Sequence, residues 1–153
     1  MARMTAQDPN WELRVRESFA RQSHMTTLGA TIAHLAPGEV HLAFPFAPQF
    51  CQQNGFMHAG AVASVADSAN GYAAYTLAPP ETNVLAVEFK INLLAPARGE
   101  RFLACARVLR PGRTLTVCQA EVFAEERSEQ VLIATMLSTI IVRPIDRITA
   151  SAP

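Results

Sequence analysis

Apolar residues recur along this chain with two periods, and the change of period divides it. Near the start, Trp11, Val15 and Phe19 return every four residues among Glu12, Arg14, Arg16, Glu17 and Arg21. That spacing predicts a short amphipathic helix laid on something larger. Asp8 and Pro9 fit an N-cap followed by proline at the first helical position. Two strand-like stretches follow, residues 27–35 and 39–46, with a turn at Ala36-Pro37-Gly38. After an irregular uncharged segment, the run HAGAVASVADSANGYAAYT begins at His58 and ends before Pro79-Pro80. It is alanine-rich with no charged face, which predicts a buried helix. From Val84 to Leu94 the period becomes two: Leu85, Val87, Phe89, Ile91 and Leu93 alternate with Ala86, Glu88, Lys90 and Asn92. Residues 101–110, 114–124 and 130–142 read as three more strands, and the last is apolar on both faces, which places it centrally. The class is α+β: an antiparallel sheet of five to six strands around one buried central helix, with a short N-terminal helix. A single sheet must cover its apolar face, and the alanine-rich helix is the candidate cover.

Composition narrows this further. The 153 residues suit one domain and are 50% hydrophobic, so folding should bury about 70% of the unfolded surface. Thirteen basic residues balance thirteen acidic ones, which argues against a nucleic-acid partner, since such proteins carry an excess of cations to neutralise phosphates. Three cysteines without CxxC spacing, Cys51, Cys105 and Cys118, suggest neither a disulfide framework nor a zinc site. The first residues lack the apolar stretch of a signal peptide, and the run 131–142 is too short and too rich in Thr and Ser to span a bilayer. The expectation is a cytoplasmic protein with no membrane partner. The first seven residues and the last ten read as loose ends.

Charge distribution says more than net charge. The chain is 17% charged, yet between Val40 and Pro80 only Asp67 is. An ionised carboxylate removed from water costs several kcal/mol unless paired or hydrogen-bonded. Asp67 is therefore either structural, bonded to Ser64, a backbone N–H or a distant strand, or it is a base or nucleophile held in a cleft. At 100° per residue its own face carries Gly60, Ala63, Ser64, Asn70, Gly71 and Ala74, with Val62, Val65 and Tyr72 opposite. At the helix start, His58-Ala59-Gly60 follows Gln52, Asn54 and Gly55. Free N–H groups there, at the positive end of the dipole, make an oxyanion site; His58 itself is either a catalyst or a packed or capping residue. His58 and Asp67 lie about 13.5 Å apart along the helix and about 180° around it. If both act on one carbonyl, the helix start of one copy must meet the acid of another, which implies a homodimer with shared sites.

The run QQNGFMHAGAVASVADSANGYAA, followed by VEFKINLLAPARGE and VLRPGRTLTVCQAEVF, resembles the hotdog-fold acyl-CoA thioesterases of the phenylacetic-acid-degradation (PaaI-like) group. The resemblance covers about residues 27–142, three segments in the right order and spacing. It implies an N-terminal segment over 1–26, a hotdog thioesterase domain over 27–143 and a tail over 144–153. It also implies that Asp67 serves as nucleophile or general base, that the Ala59 N–H polarises the carbonyl, and that His58 and Gly60 complete the helix start from the partner chain. Gln52 and Asn54, with Gly55 between them and the His, would position substrate or water, with Ser64 and Ala86 nearby. Three departures stand out: Ala59 replaces the middle glycine of a His-Gly-Gly start, Ala86 stands where some relatives carry Ser or Thr to hold the lytic water, and Gln52 sits where some relatives have Asn. Arg98, Arg110 and Arg113 flank turns where CoA phosphates would bind, Arg113-Thr114 foremost. The implied reaction is hydrolysis of an acyl- or aryl-CoA thioester without metal or other cofactor, in a dimer or a dimer of dimers. Two other readings stay open, a non-catalytic acyl-CoA sensor and a hotdog dehydratase or hydratase. The sequence motifs of the dehydratases and hydratases are absent, and the N-terminal residues are too few for a DNA-binding domain.

Overall fold

In the computed structural model, which describes residues 4–147, six antiparallel strands form one sheet. They are β1 (Thr31–Ala36), β2 (Glu39–Pro45), β3 (Thr82–Leu93), β4 (Arg101–Arg110), β5 (Leu115–Glu126) and β6 (Glu129–Pro144), in the order β1-β2-β4-β5-β6-β3. The long helix α3 (Ala59–Tyr75) enters between β2 and β3 and crosses the sheet, so β3 reaches the far edge beside β6. This is the hotdog arrangement, with β6 inside the sheet as its two apolar faces require. Alanines make the close approach possible. Ala66, Ala69 and Ala73 of α3 are buried in one core with Ala104 and Ala106 of β4 and Ala120 of β5. Larger groups fill the flanks, among them Phe44 and Phe102, whose rings stack at 5.1 Å.

The N-terminal segment is strapped down. Helix α1 (Trp11–Ala20) buries Val15 completely, with Trp11 and Phe19 packed against the core. Its Arg14 is not a solvated charge. The guanidinium donates to Ala78 O at 2.7 Å, Pro79 O at 2.8 Å and Tyr75 O at 3.4 Å, lies 4.5 Å over the Tyr75 ring, and pairs with Asp8 at 3.2 Å. A cation is thus set against carbonyls at the C-terminal end of α3, where the helix dipole favours it. Gln7 adds a bond from its side-chain amide to Leu77 O at 3.0 Å, and Met4 packs on the core, so these residues are not loose ends. Residues 1–3 and 148–153 lie outside the described residues.

Several expectations shift. Asp8 does not cap α1; its carboxylate accepts from Asn10 N in the preceding turn, and Asn10 is the N-cap. The first strand begins at Thr31 because residues 23–27 form a further short helix, α2 (Ser23–Thr27). At the β1–β2 turn Gly38 adopts φ +81°, and its N–H donates to the buried Thr76 hydroxyl at 2.7 Å. The alternation of β3 is broken at Val87, where the register with β6 slips between Ala86 and Glu88. Val84 and Ala86 therefore share the helix-facing side with Phe89, Ile91 and Leu93, while Leu85 turns outward opposite Ile141. A bulge of this kind re-aims side chains and bends the strand.

Candidate active site

Helix α3 is not buried all round. Val62, Val65, Ala66, Ala69, Asn70 and Ala73 face the sheet, whereas Gly60 is exposed and Ala63, Ser64, Asp67, Ser68 and Gly71 are half-buried. Two residues predicted on the face of the acid belong elsewhere. Asn70 is wholly buried and donates to Ser138 Oγ of β6 at 2.7 Å, and Ala74 is buried near the C-terminal end. The open face is centred nearer Gly71 than Asp67, about 40° round the helix, which brings Ser68 onto it.

Among the described residues Asp67 has none of the structural partners that could explain it. Its Oδ1 is buried without a hydrogen bond, and no ion pair engages it among the described residues. Ser64, the nearest candidate, donates instead to Gly60 O at 2.8 Å. Desolvation raises the Asp67 carboxyl above its ordinary value of 3.8, the environment expected of a group kept for proton transfer. The acid opens into a cavity of about 220 Å³ walled by Val84, Leu85 and Ala86 of β3, by Ser68, Gly71 and Tyr72 of α3, and by Gln22. Ala86 and Asp67 thus line the same cavity.

The helix start is a separate place. His58 is the N-cap of α3, and its Nδ1 accepts from Gly60 N at 2.8 Å. A Cβ at Gly60 would sit 3.0 Å from that nitrogen, so glycine leaves room for the cap. Ala61 N and Val62 N both turn to His58 O, at 3.0 and 3.3 Å. These bonds occupy the other first-turn donors and leave the Ala59 N–H without a partner among the described residues. Beside it lies a cavity of about 580 Å³ lined by Gln52, His58 and Ala59 together with apolar Phe56, Leu93 and Ile133. The carbonyl of the Gln52 side chain accepts from Asn54 N, which tightens the loop and keeps the Gln52 amide at the cavity. Gly55 completes that turn at φ +84°. On the other side of His58 a cavity of about 340 Å³ holds Gly60, Ser64, His24 and Cys51.

Within one chain, therefore, the expected site residues fall into separate groups. Asp67 and Ala86 share one cavity; Gln52, His58 and Ala59 share another; Gly60 and Ser64 join His58 in a third. Asn54, Gly55, Arg98, Arg110 and Thr114 line none of these. Arg113 is exposed and lies at a different cavity of about 330 Å³ with Gln7, Leu77 and Thr116, while Thr114 offers its carbonyl to Val142 N at 2.9 Å. Arg98 directly follows Pro96 and Ala97, which line the helix-start cavity. Sequence reasoning missed Gln22 and Ser68. Ser68 had a signal, a second polar residue beside the lone acid of an uncharged helix; Gln22, far upstream in a helix junction, had none. The thiols offer no rival nucleophile on β4 or β5: desolvation and nearby glutamates push Cys105 up to about 11, and burial pushes Cys118 up to about 12. No grouping of three or more metal-ligating side chains is found among the described residues, and no described helix is long and apolar enough to cross a membrane.

Known proteins share this architecture. The family model described as Thioesterase superfamily matches residues 54–131. A thioesterase family protein of Silicibacter pomeroyi, known from its crystal structure, is 51% identical with a TM-score of 0.87, over 88% of this chain and 98% of that one. A candidate esterase of Saccharolobus solfataricus is 32% identical over 103 residues, 67% of this chain and 68% of its own length. A mutant structure of the phenylacetic acid degradation protein PaaI of Thermus thermophilus is 27% identical, with a TM-score of 0.69 over 78% of this chain and 98% of that one.

Proposed function

The chain belongs to the thioesterase superfamily, and from that premise we propose that it hydrolyses acyl- or aryl-CoA thioesters with Asp67 as general base in a site shared by two copies. The observation that carries this is the half-buried carboxylate with an unpartnered Oδ1, set in a cavity that excludes the helix start of its own chain. Asp67 takes a proton from water as the water oxygen attacks the thioester carbonyl carbon. The tetrahedral oxyanion receives the Ala59 N–H of the partner copy, where His58 and Gly60 hold the helix start open. Collapse breaks the C–S bond, and the thiolate leaves with the proton from Asp67, giving free acid and CoA thiol. Placing that donor near Asp67 needs a second chain, and the far edge of the sheet offers a place for one. Leu85, Val87, Phe89 and Leu93 of β3 are 46–56% exposed on an unpaired edge strand, the kind of surface that a matching edge covers. The apolar lining of the helix-start cavity suits the acyl or aryl group. Arg98, Arg110 and Arg113 are exposed cations for the CoA phosphates.

The test is turnover of an acyl-CoA panel followed by free-thiol release. Asp67→Asn keeps the shape of the side chain and loses the base, so kcat should fall by about 10²–10⁴ with the fold unchanged by circular dichroism. Mixing Asp67→Asn chains with chains blocked at the helix start by Ala59→Pro should restore part of the activity through hybrid sites. Full activity of Asp67→Asn overturns the mechanism; proven hybrid dimers without activity overturn the shared site.

A further inference from the structure

The cavity of the acid has a polar lining that the mechanism so far leaves idle. Besides Asp67, three polar side chains reach it: Tyr72, Ser68 and Gln22. Tyr72 is committed, its hydroxyl 3.3 Å from Ser18 Oγ and its ring edge-on to Phe19 at 5.5 Å. The other two are tied together, for Ser68 Oγ donates to Gln22 Oε1 at 3.3 Å. Gln22 is itself fixed at the junction of α1 and α2. Its backbone N donates to Phe19 O at 3.0 Å, and its carbonyl accepts from Thr26 N at 3.2 Å. The β3 wall, with Val84, Leu85 and Ala86, adds no polar side-chain atom.

Water poised for deprotonation has two protons to place and one lone pair to aim. One proton goes to Asp67 and the lone pair must face the carbonyl carbon, so the second proton needs a fixed acceptor. A serine hydroxyl both donates and accepts, and its rotor settles which. When its own proton is given to another group, what it presents is lone pairs. The bond to Gln22 does this for Ser68, one residue along the helix from the acid.

We propose that Ser68 accepts the second proton of the attacking water as a hydrogen bond, and that Gln22 is the positioning residue that holds the Ser68 hydroxyl in that role. The inference rests on Asp67 acting as general base. Ser68 exchanges no proton: the proton abstracted goes to Asp67 and leaves with the thiolate, and the second proton stays on the new carboxyl oxygen until released to solvent. The N-terminal helices thereby supply part of the active site.

The experiment measures kcat and KM across pH, with thermal stability, on the acyl-CoA that the unmodified protein turns over fastest. Ser68→Ala and Gln22→Leu should each lower kcat by about 10–100-fold while KM stays within about twofold and Tm is little changed. Ser68→Thr restores the hydroxyl and should recover most of the rate. Gln22→Glu keeps an acceptor for Ser68 but sets a negative charge beside Asp67, so its alkaline plateau should survive while the acid limb moves to higher pH. Wild-type kcat in Ser68→Ala and Gln22→Leu, a loss confined to KM or stability, or failure of Ser68→Thr to recover rate overturns the proposal. Asp67→Asn assayed alongside separates the two readings. If it is inactive while Ser68→Ala keeps full kcat, this inference alone fails; if it is fully active, the general-base reading fails.

Discussion

The two sides of α3 are made from nearly the same residues and meet opposite requirements. Toward the sheet, alanines at 66, 69 and 73 are wholly buried and let the helix lie close to β4 and β5. Toward solvent, Gly60, Ala63, Ser64 and Gly71 flank an acid whose buried Oδ1 has no hydrogen-bond partner among the described residues. Small residues serve tight packing on one side and vacancy on the other. The polar residues show the same contrast. Asn70 is sealed against Ser138, whereas Asp67, one turn away, faces a cavity. A small side chain identifies a packing surface only when something lies opposite it.

This contrast can be broken by substitution. The largest effect belongs to the inner side: Ala69→Leu overfills a closed contact and should cost about 1–3 kcal/mol, lowering Tm by about 3–10 °C, with the kcat of the folded fraction retained. The same type of change on the outer side should reverse sign. A Cβ at Gly71 meets nothing within 4 Å, so Gly71→Ala should add about 0.5–1 kcal/mol of stability by removing a glycine from a helix interior. Its methyl projects toward the cavity of the acid, and KM for bulky acyl groups should rise. A smaller and subtler effect concerns pH. Because burial raises the Asp67 carboxyl above 3.8, the folded state binds its proton more tightly than the unfolded chain does, and ionisation works against folding. Asp67→Asn should therefore raise Tm at neutral pH, with the gain shrinking as pH falls through the raised pKa and vanishing below 3.8. A gain equal at every pH would mean that the charge is not its source.

Much of this was legible in the sequence, and the failures have particular causes. The helix announced itself by lacking charge, and Asp67 by being the exception. The start of the helix was legible in the residue order His58-Ala59-Gly60, and His58 is its N-cap. Asn70 was misplaced because a wheel drawn around the acid assumes that the acid marks the centre of its face, whereas the sheet sets that centre and rotates it toward Ser68. The alternation of β3 was right in kind but broken at Val87, because a bulge depends on pairing with β6 and leaves no local signature. The period of two along β3 suits a strand with one buried face, yet Leu85, Val87, Phe89 and Leu93 are about half exposed within one chain, which is the surface proposed above to meet a second copy. Gln22 was invisible because its meaning comes from Ser68, 46 positions later.

The clamp made by Arg14 has a dynamic consequence. It joins residues 61 to 65 positions apart, and with the Phe19–Tyr72 contact and the buried Val15 it holds α1, and the Gln22 that follows it, against the central helix. None of its partners, Asp8, Tyr75, Ala78 and Pro79, lies in a strand. Fraying of those first helices would open the cavity of the acid to bulk water while the sheet stayed intact, so amide exchange in α1 should track the integrity of the Asp67 cavity more closely than exchange in any strand.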